Sequence, residues 1–203
     1  MPDHFPTVRV AETELKVGRT PAHPEDEFEF QPDDSLADDS FVATAIEPTR
    51  EMTNEHPPSV EVSITNVRDT PIDVTFGATP PLDVYPGKDD AEGLLYLIPL
   101  ESDDVSITPE RLVPDSMEHG IWRVTESFTI PESVTILTIE PGKSITGEYA
   151  VLGQPLGKER GSDAPSSARG LVPGTYAFVG DYFVDETTPS IWIQWKFELV
   201  VEA

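Results

Sequence analysis

The sequence predicts an all-β protein, a two-layer antiparallel β-sandwich preceded by an acidic N-terminal extension. Three observations lead there. Val and Thr number 19 each, and Pro 21, among 203 residues; β-branched side chains lose rotamer freedom in a helix, and Pro lacks the N–H donor. Apolar residues recur with a period of two along most of the chain and nowhere at spacings of three and four over a helical length. Turn-forming residues interrupt the pattern at short intervals.

Residues 1–40 are the least core-like. Thr7 to Val10 and Glu14 to Val17 alternate and are expected to pair as a small hairpin, and Glu27-Phe28-Glu29-Phe30 alternates before the acidic run Asp33, Asp34, Asp38 and Asp39. This is the composition of a solvated arm lying on a body or on a neighbour. Residues 41–203 read as one domain. Val60, Val62 and Ile64 share one strand face; after the turn at Asn66-Val67-Arg68-Asp69, Ile72, Val74 and Phe76 share another, which predicts a hairpin. Leu94 to Leu100 is expected as a buried strand, and Thr108-Pro109 opens a short helical turn to Leu112. Ile121 to Val124 and Val134 to Ile139 read as further short strands, and Pro141-Gly142 as a hairpin turn into Ser144 to Val151. Leu171-Val172-Pro173-Gly174-Thr175-Tyr176 opens a strand to about Val184, with Tyr176 placed as a tyrosine corner whose hydroxyl bonds back along the chain. The last strand is the clearest. Ile191, Ile193, Trp195, Phe197, Leu199 and Val201 line one face, and Gln194, Lys196 and Glu198 the other. Eight or nine such strands predict an immunoglobulin-like sandwich, with a jelly roll as the rival arrangement.

Lys and Arg number 13 against 38 Asp and Glu, a formal charge of −25. Spread along the chain, that excess repels itself in dilute buffer and is screened in molar salt, where the Debye length falls to about 3 Å. A halophilic protein is therefore expected. Nucleic acid is excluded as a direct partner by like charge. No basic start with an apolar core opens the chain, and its longest apolar run, Leu94 to Leu100, contains Pro99. A soluble cytoplasmic protein without membrane insertion is expected.

Chemistry-bearing patterns are sparse. The chain has no Cys, which excludes disulfides, thiolate metal sites and a Cys nucleophile. His4, His23, His56 and His119 have no partner at ligand spacing. Gly142-Lys143-Ser144 resembles the end of a phosphate-binding loop, but Leu137 stands where its first glycine belongs and a strand follows in place of the required helix. The pairs Asp33-Asp34, Asp38-Asp39, Asp89-Asp90 and Asp103-Asp104 lack the alternating oxygens and Gly of a calcium loop. No catalytic, cofactor or metal residue is expected. For a protein partner, the candidates are Trp192, which faces away from the core side of its strand and either packs under the N-terminal arm or joins a contact surface, and Lys158, Arg160 and Arg169 in the Gly-, Pro- and Ser-rich loop from Gly153 to Gly170.

Several pieces occur in the order found in intracellular proteinase inhibitor (BsuPI-like) domains. They are Val60-Glu61-Val62-Ser63-Ile64-Thr65-Asn66 with Pro71-Ile72-Asp73-Val74-Thr75-Phe76, Gly120-Ile121-Trp122-Arg123, Leu137-Thr138-Ile139-Glu140-Pro141-Gly142-Lys143-Ser144, and Leu171 to Tyr176. Over about residues 59–180 the chain resembles that family, and the resemblance implies a sandwich fold and proteinase inhibition. The matched positions are strand cores and turns, so no inhibitory residue is carried over. Together these readings predict a noncatalytic protein-binding module. The alternative is a structural or assembly subunit of a larger particle, which would form a homo-oligomer.

Overall fold

The computed structural model describes residues 5–20, 30, 32–36, 41–89, 94–102, 107–117, 121–130, 132–155, 171–184 and 191–203. Ten strands run in chain order among them: β1 (Thr7–Arg19), β2 (Val42–Arg50), β3 (Ser59–Asn66), β4 (Ile72–Phe76), β5 (Gly87–Lys88), β6 (Leu94–Pro99), β7 (Thr135–Ile139), β8 (Ser144–Gly153), β9 (Gly174–Val184) and β10 (Ile191–Glu202). A single helical turn, α1 (Pro109–Leu112), lies between β6 and β7. Thr108 holds its N-cap position in extended backbone but makes no side-chain capping bond.

Every strand pairing is antiparallel, in the order β1-β10-β9-β5-β6-β8-β3-β2, with β4 attached to β9 and β7 to β4. The outermost strands β1 and β2 approach each other without pairing, so the sheet is nearly a barrel. β9 makes this possible through its length: Ala177 pairs with Lys88 of β5, and Phe183 and Val184 pair with Thr75 and Val74 of β4. Its inward positions Tyr176, Phe178, Tyr182 and Val184 are buried, interrupted by Gly180 opposite Trp195. A Cβ on Gly180 would stand 2.6 Å from the Tyr182 hydroxyl, so glycine is required there. The alternation in β10 is realised in full, with all six odd-numbered residues from Ile191 to Val201 buried. Tyr176 donates its hydroxyl hydrogen to Val172 O, four residues back, at 2.9 Å.

The structure corrects four local expectations. The two N-terminal stretches are not a hairpin. They are halves of β1, which pairs with β10 from Thr7↔Glu202 to Arg19↔Ile191 across an irregularity between Val10 and Thr13. Residues 1–40 thus supply a full strand to the sheet.

Likewise, β3 and β4 do not pair, and neither do β7 and β8; both connections cross the curled sheet. Pro71 and Pro141, without N–H groups, cannot continue a ladder. The buried Asn66 joins the two crossings. Its side-chain nitrogen donates to Thr70 O at 2.8 Å and Ile139 O at 2.7 Å, and its backbone bonds Gly142 N and Lys143 O. The turn at Glu140–Lys143 is real, closed by Lys143 N–H to Glu140 O at 2.9 Å with Gly142 at φ 67°. Finally, Ile121 to Val124 form no strand; Arg123 makes an isolated parallel bridge to Gly153, and the buried Trp122 donates to Thr53 O at 2.8 Å.

Candidate interaction surface

β7 ends a branch of the sheet. Its only strand partner among the described residues is β4, which leaves its other edge without a strand partner among them. Its sequence is apolar on both faces. Leu137 and Ile139 turn inward, with Ile139 2% exposed, while Ile136 is 60% exposed and the adjoining Val134 69%. A strand apolar on both sides is the pattern of one covered on both sides, and here one cover is missing.

Beside the inward face of β7 opens a cleft of about 660 Å³, between Thr135 and Leu137 of β7, Ile145 and Tyr149 of β8, and the segments Ala78 to Pro80 and Pro99 to Ser102. Three carboxylates, Glu61, Glu101 and Glu148, belong to its lining, with no Lys or Arg among the described lining residues. Glu148 sits directly across from Glu61, and Glu61 from Glu47, so three glutamates form a row over β8, β3 and β2. Side chains so placed are about 5 Å apart at Cβ, and like charges there are destabilising. The Glu148 Oε1 accepts hydrogen bonds from Ser59 Oγ at 2.7 Å and Thr49 Oγ1 at 3.0 Å, which orient it.

A second, smaller and partly open pocket of about 70 Å³ lies between Gly77, Leu82, Asp83, Gly180, Asp181 and Tyr182. It is too small for an organic ligand and has room for water. Desolvation pushes the Asp83 carboxyl above its ordinary range, against the opposing pull of the Thr79 and Ala78 N–H groups. Gly77 is needed beside it, because a Cβ would fall 1.7 Å from Asp83 Oδ2. Burial, and after it the nearby Asp83 charge, raises the Tyr149 hydroxyl. That hydroxyl accepts from Leu82 N–H at 2.9 Å and faces Leu82 O and Thr79 O at 3.1 and 3.2 Å. The loop with the cis Pro80-Pro81 bond is thereby tied to β8. The Tyr182 hydroxyl, raised mainly by burial, has no hydrogen-bond partner among the described residues.

Of the residues predicted to meet a partner, Lys158, Arg160 and Arg169 lie outside the described residues, as does most of the loop from Gly153 to Gly170. Trp192 is 6% exposed, because the chain returning at Phe30 covers it. Phe30 meets its ring at 5.2 Å in an edge-on arrangement, Phe183 packs at 5.5 Å, and the indole N–H donates to Asp181 Oδ1 at 2.8 Å. The return is fixed by Asp33 N–H to Val17 O at 3.0 Å and an Arg19–Asp33 ion pair at 3.1 Å. Among the acidic pairs, Asp33 also accepts from Ser35 N–H at 3.0 Å; no group of three acidic or His side chains suited to a metal occurs among the described residues. The sequence reading missed the β7 edge. Its signal was the run Val134-Thr135-Ile136-Leu137-Thr138-Ile139, which places apolar residues on both faces.

Comparison with known proteins gives no match to a family model, a curated protein or a solved structure.

Proposed function

We propose that this chain is a noncatalytic protein-binding module adapted to high salt, and that the free edge of β7 is its contact element. The observation that carries the reading is the exposure of Ile136 and Val134 along a strand edge with no strand partner among the described residues. An edge of this kind takes up an extended segment of another chain, with backbone hydrogen bonds supplying affinity and side-chain pockets specificity.

The same reading assigns the curled sheet to an immunoglobulin-like sandwich. β2-β3-β8-β6 form one layer and β1-β10-β9-β4-β7 the other, with β5 linking β6 to β9. The Tyr176 corner at the start of β9 supports that assignment. Proteinase inhibition is the form of protein binding that the resemblance over residues 59–180 suggests. The test compares the full chain with its Ile136→Lys variant as immobilised baits in molar KCl. Partners retained by the native chain and lost by the variant support the edge; an unchanged set of partners overturns it.

A further inference from the structure

Granted the β7 edge as contact element, we infer that its occupant is an extended segment alternating apolar with basic residues. The argument rests on the geometry of the edge. Side chains of an added strand alternate between the two sheet faces, as those of β7 do. On one face they meet Val134 and Ile136, which are exposed and apolar. On the other they meet Thr135 and Leu137 and extend over the cleft that contains Glu61, Glu101 and Glu148. A Lys or Arg there lays its aliphatic stem over Leu137 and reaches past the edge of β8 to the carboxylates at the rim of the cleft. A cation also relieves the repulsion in the row Glu47-Glu61-Glu148.

Charge decides against a second copy of this chain as occupant. Each copy carries −25, and β7 pairing with β7 would set Thr135 and Leu137, not cations, over the glutamates. Charge equally decides against an acidic segment, whose side chains would add to the carboxylates in a cleft with no Lys or Arg among its described lining residues.

The experiment titrates the full chain with two fluorescent heptapeptides, one alternating Val with Lys and one alternating Val with Glu, read by anisotropy in moderate and in molar KCl. The proposal expects the Lys peptide to bind about tenfold or more tightly than the Glu peptide, a preference that narrows with salt. The double variant Glu61→Gln, Glu101→Gln is expected to weaken the Lys peptide severalfold and leave the Glu peptide no weaker. Ile136→Lys is expected to abolish binding of both, and circular dichroism of each variant establishes that it is folded. Equal binding of the two peptides, lost in Ile136→Lys, leaves the edge in place and overturns the basic occupant. Binding of neither overturns both readings. A native dimer that Ile136→Lys dissociates makes the second copy the occupant and overturns the proposal.

Discussion

Asn66 is 0% exposed, and its side-chain and backbone polar groups are all engaged. Its amide nitrogen holds Thr70 O and Ile139 O, while Oδ1 accepts from Arg68 N–H at 2.8 Å. Asn66→Asp turns both donations into oxygen–oxygen contacts and buries a charge, so a loss of about 3 kcal/mol or more is expected in urea unfolding. Asn66→Ser, smaller and uncharged, should cost less. Asp83 provides the opposite case. Its carboxyl is raised by desolvation, so the folded chain holds that proton more tightly than the unfolded chain. The group therefore disfavours folding at neutral pH, and this penalty fades as pH falls through its folded pKa towards the ordinary Asp range. Asp83→Asn is expected to be at least as stable as the native chain at pH 7, with the difference shrinking on acidification. Chemical denaturation of both proteins between pH 7 and 4 measures it, and a difference that grows towards acid contradicts the assignment.

Single elements differ in how plainly the sequence announced them. β10 was legible because one face is buried and the other polar, so period and burial coincide from Ile191 to Val201. β9 and the turn at Pro141-Gly142 were legible for local reasons: a tyrosine corner, and a Pro followed by a residue with positive φ. Pairing partners were not. Asn66 was recognisable as a turn former through its bond to Arg68 N–H, but its reach to Ile139 spans 73 positions in sequence and leaves no local trace. For the same reason β3 and β4, adjacent in sequence, were expected to pair. Of the site, Trp192 was singled out for facing away from the core, and of its two expected outcomes the structure realises cover by the N-terminal arm, through Phe30. The β7 edge went unread because apolar periodicity marks a strand without saying which edge stays bare. Replacing Val134 and Ile136 together by Thr should change unfolding free energy by no more than about 0.5 kcal/mol, since both are solvent-facing. A large loss of stability would mean that these side chains are covered in solution.

For the whole molecule, 38 acidic against 13 basic residues predict a stability that depends on salt. The ion pairs Arg9–Glu202, Lys16–Glu14 and Arg19–Asp33 are partly exposed and contribute little. The expected outcome is an unfolding temperature that rises steadily from dilute buffer to 2 M KCl, at about 2–4 °C per kcal/mol for a chain of this size. A flat profile would show that the repulsion is balanced without salt. The pairing of β1 with β10 also orders events during synthesis. Thr7 is synthesised nearly two hundred residues before its mate Glu202. At roughly 5–20 residues per second the first strand waits about ten to forty seconds for a partner. Throughout that interval the nascent chain carries an unmated ribbon with Val8, Val10, Leu15 and Val17 on it, a natural target for chaperones.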